Sequence, residues 1–212
     1  MRGRKRAIAL LTALGACVSI LTGCSGETVE EPIRTSTIVL AADGSFTQCR
    51  VEDFDRDDYQ LSELDGMIRR EVQDYVGEAA GDGQTVTVEQ VSSLEENDAQ
   101  AMVALHFADS EVYKDYRAQV DNQSCELFYG TVQEALEAGY DLAGVLQDAK
   151  KGTDLTSEQL AKIGGNRVLI FEENLQIRCP SKVLYISSNV QITDAGYVDG
   201  TEGEGLKYVV IK

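Results

Sequence analysis

Apolar residues recur along this chain with two periods, and the change from one to the other marks its elements. Thr35 to Ala41 and Ser45 to Phe54 are rich in β-branched and aromatic residues and flank Ala42-Asp43-Gly44. Asp-Gly between two such runs predicts a hairpin, with Thr47, Cys49 and Val51 on one face of its second strand. From Leu61 the period is helical: at about 100° per residue, Leu61, Leu64, Ile68, Val72 and Tyr75 fall in one stripe flanked by Met67 and Val76. The predicted helix runs over Ser62 to Val76, with Ser62 and Asp65 as its N-terminal cap. Thr85 to Leu94 then reads as a strand whose alternation slips near Glu89-Gln90. In Ala99 to Phe107, Ala101, Val103, Leu105 and Phe107 alternate with Gln100, Met102, Ala104 and His106, which predicts a half-buried antiparallel sheet.

The later helices carry clear punctuation. Asp109 to Gln119 has Asp109 or Ser110 as a cap. Thr131 with Glu134 forms a capping-box pattern, and Gly139 stands where that helix would stop. Thr156 with Gln159 repeats the device, with Leu155 and Leu160 as a hydrophobic staple and Gly164-Gly165 as the stop. Beyond Asn166 the chain is β-rich, in Arg167 to Glu172, Leu175 to Cys179, Lys182 to Ser187, Val190 to Thr193 and Leu206 to Lys212. Val168-Leu169-Ile170-Phe171 is apolar on both faces and predicts a central strand. The expected fold class is α+β: a mostly antiparallel β-sheet with helices packed on one side and a β-rich C-terminal part.

The N-terminus has a pattern of its own. Arg2, Arg4, Lys5 and Arg6 precede an uncharged run of 17 residues, Ala7 to Gly23. A charged n-region feeding an apolar h-region is the signature of an export signal, and 17 residues interrupted by Thr12, Ser19 and Thr22 are few for a permanent span. The run ends in Leu21-Thr22-Gly23-Cys24, which resembles the lipobox of bacterial lipoproteins. That resemblance implies a diacylglyceryl group on the Cys24 thiol and cleavage between Gly23 and Cys24. It divides the chain into a lipoprotein signal peptide (1–23), a lipid-anchored tether (24–34) containing Pro32, and an extracytoplasmic α+β domain (35–212). Two acyl chains anchor firmly where one would be marginal.

Cleavage removes four basic residues and no acidic ones, leaving 15 Lys and Arg against 36 Asp and Glu, a formal charge of −21. Nucleic acid is excluded as a partner, because phosphate binding needs clustered positive charge. An acidic surface also repels anionic headgroups, so membrane attachment falls to the anchor. The remaining cysteines, Cys49, Cys125 and Cys179, are odd in number and too widely spaced for a zinc pattern; at most one internal disulfide can form among them, and buried free thiols are the expectation over a bridge.

Asp53-Phe54-Asp55-Arg56-Asp57-Asp58 spaces carboxylates as a calcium loop does, but Asp58 stands where an EF-hand needs Gly and Leu64 where it needs Glu. His106 is the single histidine, so any His-centred triad has one candidate. Glu71 lies at the edge of the helical stripe, where a carboxylate with a raised pKa could act in catalysis. Gly200 to Gly205, GTEGEG, has the spacing of a phosphate loop but is followed by Leu206-Lys207 and carries Glu202 and Glu204, which repel phosphate. G-x-S-x-G and S-x-x-K do not occur. No metal and no cofactor is expected. Nine tyrosines are explained first by core packing.

DGSFTQCRVEDFDRDDYQLSELDGMIRREVQDYV, Asp43 to Val76, and LFYGTVQEALEAGYD, Leu127 to Asp141, resemble segments of uncharacterised lipoproteins of anaerobic Gram-positive bacteria. The resemblance implies the same anchoring and supplies no activity. The expected role is a non-enzymatic binding or scaffolding module held on the outer face of the cell membrane. The alternatives are an extracytoplasmic hydrolase using carboxylates such as Glu71 and Asp53, and a small solute-binding lipoprotein.

Overall fold

The computed structural model describes residues 32–56, 59–78, 85–94, 97–194 and 196–212. Gly23, Cys24, the signal segment and most of the tether lie outside these residues, as do Asp57 and Asp58 of the acidic turn.

The hairpin forms where Asp-Gly places it. β1 (Thr37–Leu40) and β2 (Phe46–Asp53) pair antiparallel. The Ala41 amide donates to the Ser45 carbonyl at 2.9 Å, and Gly44 takes φ +107°, which a side chain would resist. α1 (Leu61–Glu78) follows, then β3 (Val86–Leu94) and β4 (Asn97–Phe107). The β3–β4 register shifts between Val88 and Gln90, so the slip in alternation there is a β-bulge. α2 (Ser110–Gln119) is capped by the Asp109 side chain, which accepts from the Val112 amide.

β5 (Leu127–Thr131) runs directly into α3 (Val132–Glu137), and β6 (Leu146–Asp148) precedes α4 (Ser157–Lys162). Both short helices have the full capping box, Thr131 with Glu134 and Thr156 with Gln159. The remaining strands are β7 (Arg167–Phe171), β8 (Gln176–Arg178), β9 (Val183–Ser187), β10 (Gln191–Ile192), β11 (Val198–Asp199) and β12 (Lys207–Ile211).

The class is α+β with mostly antiparallel pairing, as the periodicities predict, but the strands divide between two sheets. One has the order β10-β11-β8-β1-β2-β4-β3, and its β1–β8 pair is parallel. The other has the order β5-β7-β12-β9-β6 and is antiparallel throughout. The second sheet is buried on both faces. Leu169, Phe171, Val209 and Ile211 enter one core with the first sheet, α1 and α2; Val168, Ile170, Tyr208 and Val210 enter another, closed by α3 and α4. Helices thus lie on both sides of this sheet, which is why β7 from Val168 to Phe171 and β12 from Tyr208 to Ile211 are buried in every position. The Tyr129 hydroxyl links the two sheets, donating to the Ala41 carbonyl at 2.9 Å.

Two local expectations shift. α1 begins at Leu61, with the Gln60 carbonyl accepting from the Glu63 and Leu64 amides, so Ser62 lies inside the first turn and does not cap it. Burial along its stripe deepens toward the C-terminal half: Leu64 and Ile68 are half-buried, whereas Val72 and Tyr75 are enclosed. Tyr75 is covered there by Tyr116 of α2, the rings meeting edge-on at 5.1 Å.

Val72→Asp places an unpaired carboxylate in the core and should cost about 4 kcal/mol or more. Leu64→Asp should cost under about 2 kcal/mol because water still reaches that position. Urea unfolding midpoints distinguish the two; equal losses would mean that the facing of α1 is wrong.

Candidate functional site

Between the two sheets opens a polar cleft of about 540 Å³. Three elements build it. On β2, Gln48, Arg50 and Glu52 point to one side by simple alternation. The end of α2 contributes Arg117, and the chain beyond it Asp121 and Gln123. The turn joining β7 to β8 supplies Glu172, Glu173 and Asn174.

Arg117 holds these elements together, and it is only 7% exposed. One terminal nitrogen, Nη1, lies 2.7 Å from Glu173 and donates to the Tyr113 hydroxyl at 3.1 Å; Nη2 donates to Gln123 Oε1 at 2.7 Å. Nε sits 2.7 Å from Asp121 Oδ2 but out of line for a hydrogen bond, so that contact is charge attraction alone. Arg50 reaches the same Asp121 oxygen at 2.9 Å. Burial works against the Arg117 charge. The Tyr113, Glu173 and Asp121 oxygens outweigh it and hold its pKa above the usual value.

Tyr113 connects this polar knot to the core. Its ring meets Phe46 at 5.6 Å and Phe107 at 5.0 Å, while its hydroxyl donates to Glu173 and accepts from Gln48 Nε2 at 2.8 Å. Burial, and then the Glu173 carboxylate, push its pKa well up.

The β7–β8 turn is braced from behind by Lys207, which is fully buried. Its Nζ donates to the Glu172 carbonyl at 2.7 Å, the Glu173 carbonyl at 3.3 Å and Asn174 Oδ1 at 3.0 Å. Desolvation lowers its pKa, against the pull of Glu172 and Glu173. The glycine-rich loop wraps this side chain. A Cβ on Gly203 would stand 2.1 Å from the Asn189 carbonyl oxygen and 2.9 Å from Lys207 Cε, and one on Gly200 would stand 2.9 Å from Lys207 Cδ. GTEGEG is thus a loop, and its glycines make room for a buried lysine.

The residues singled out in the sequence do not meet at this cleft. Glu71 accepts a hydrogen bond from the Tyr116 hydroxyl at 2.8 Å, and Asp53 a long one of 3.4 Å from Gln100. Neither lines the cleft, so the pair that the hydrolase alternative invokes is not assembled. His106 pairs with Thr47 and Thr87 on the opposite face of the sheet from Gln48. Cys49, Cys125 and Cys179 are free; burial pushes their thiols up to about 12, 11 and 12. The alternation of Gln48, Arg50 and Glu52 was the available signal for the site, and sequence reasoning passed over it in favour of the other face of the strand.

No family model matches the chain, and comparison with the curated proteins and with the solved structures finds no significant match.

Two predictions follow from the buried polar groups. Lys207→Met should destabilise by about 2–4 kcal/mol, because it leaves three oxygens without a donor while keeping the volume. Chemical denaturation of the variant checks this. Burial raises the phenols of Tyr75, Tyr113, Tyr116, Tyr129, Tyr140 and Tyr208, Tyr129 to about 12. A phenol that holds its proton more tightly when folded leaves stability intact below about pH 10, and that stability falls as pH rises through the folded value. Absorbance at 295 nm should therefore show these six phenols ionising at higher pH than a free tyrosine, together with loss of near-UV circular dichroism. Nine tyrosines titrating as one group near 10 would contradict this arrangement.

Proposed function

We propose that the chain is an exported lipoprotein of the cell envelope, akin to lipoproteins of anaerobic Gram-positive bacteria. Cys24 carries a diacylglyceryl anchor on the outer face of the membrane, and the α+β domain acts as a non-enzymatic binding module. The observation that carries the location is Leu21-Thr22-Gly23-Cys24 placed directly after a basic segment and 17 uncharged residues. Among the described residues no helix is long and apolar enough to cross a membrane. What supports binding is a cleft within the volume range of ligand sites, walled by polar side chains of which Gln48, Arg50, Arg117 and Glu173 are held in place by hydrogen bonds.

Mass spectrometry of the native protein should find a lipid-modified N-terminal Cys24 followed by Ser25. Cys24→Ala should abolish lipid labelling and cleavage after Gly23. An unmodified mature N-terminus, or the Met1 to Gly23 segment intact on the wild-type protein, would overturn the anchoring and the localisation with it.

A further inference from the structure

The cleft contains an acceptor that the fold leaves unused. Gln48 is 5% exposed, and its amide orientation is fixed by the network around it. The Tyr113 hydroxyl gives its proton to Glu173, so it can only accept from Gln48, which assigns Nε2 to that contact and turns Oε1 to the cleft. Oε1 accepts no hydrogen bond among the described residues, yet it is not sealed off, since Arg117 Nε alone is both buried and without a hydrogen bond.

The charges around it are unbalanced in the same sense. The two guanidiniums of the cleft are matched by Asp121 and Glu173. Glu52, on β2, and Glu172, on the β7–β8 turn, carry no ion pair and no side-chain hydrogen bond among the described residues, and they stand on different walls. Lys207 lies behind the turn with its ammonium enclosed by three oxygens. Even with it included, four carboxylates face three cations.

Donors and positive charge are therefore what the cleft lacks. A bare metal ion is a poor fit, because no three His, Cys, Asp or Glu side chains among the described residues converge closely enough to hold one. An extended cation with separated N–H groups meets the separated acceptors instead. We propose that the cleft binds a small organic dication, a diamine or polyamine, through the carboxylates of Glu52 and Glu172 and the side-chain carbonyl of Gln48. The assignment rests on the domain being a binding module, and it supplies the ligand class. The negative net charge of the chain draws such a ligand in.

Isothermal titration of the whole chain in detergent at low ionic strength, with spermidine and 1,5-diaminopentane, tests this. Both should bind, and binding should weaken as salt is added. Glu52→Gln and Glu172→Gln should each weaken it about three- to tenfold, whereas Glu63→Gln, on the exposed side of α1, should leave it unchanged. The two cleft variants are at exposed positions and should keep the wild-type melting temperature, so a loss of binding reads the site and not the fold. Trilysine amide presents the same amines on a peptide, and tighter binding of it than of spermidine would overturn the small-molecule assignment. So would absence of heat at millimolar amine, wild-type affinity in both cleft variants, or full displacement by calcium chloride at an ionic strength where sodium chloride leaves binding intact. The intact mass of the same preparation reports the lipid anchor independently, so failure of the ligand class and failure of the anchoring are separate results.

Discussion

A guanidinium almost entirely out of water governs the architecture of this domain. Isolated, the Arg117 charge would cost several kcal/mol to bury, so the fold must bring it anions and oriented oxygens. These come from three directions: Asp121 from the chain after α2, Glu173 from the turn after β7, and the Tyr113 hydroxyl from its own helix one turn back. α2 packs against strands of both sheets, β4 and β5, and Glu173 lies on the turn from β7 of the second sheet to β8 of the first, so satisfying one side chain ties α2 to the turn that joins the two sheets. The same requirement keeps them from closing. A site that must hold Arg50, Arg117 and their carboxylates cannot be filled with apolar side chains, and the opening left between the sheets is the cleft.

Much of the fold was legible because its signals are local. A capping box lies within four residues, and both Thr131 with Glu134 and Thr156 with Gln159 form as their spacing dictates. The bulge at Val88–Gln90 shows itself as a slip in alternation, and β7 and β12 as uninterrupted apolar runs. β5 escaped because it passes into α3 with no breaking residue, Thr131 serving as the last strand residue and the helix cap together. β6 and β11 are three and two residues long, too short for a period to be counted, whereas β8 and β10 fall inside the expected segments Leu175 to Cys179 and Val190 to Thr193. The division into two sheets is set by pairings such as β1 with β8, which no local pattern encodes.

The candidate site was less legible for a related reason. Its bonds join residues far apart in the chain: Gln48 to Tyr113, Tyr113 to Glu173, Arg117 to Glu173. Neighbourhood in sequence therefore favoured other groups. Glu71, Asp53 and His106 drew attention by residue type and strand or helix position, and none of them lines the cleft. Lys207 was read only as a failed phosphate-loop residue, because a lysine after a glycine-rich loop looks exposed until the glycines are seen to be packing against its stem.

The tyrosines show how so acidic a chain settles its half-buried carboxylates. With cations outnumbered more than two to one beyond the signal segment, ion pairs cannot serve them all. Phenols take the place of lysines and arginines: Tyr75 donates to Asp115, Tyr113 to Glu173, Tyr116 to Glu71 and Tyr140 to Glu126. A phenol satisfies an oxygen while its ring fills the core, so one residue type does the work of an apolar anchor and a polar cap. It also leaves the carboxylate charge uncancelled, where an arginine would neutralise it. The negative field of the domain is thus a consequence of how its core is capped, and the unpaired carboxylates of the cleft lie within that field instead of being isolated exceptions to it.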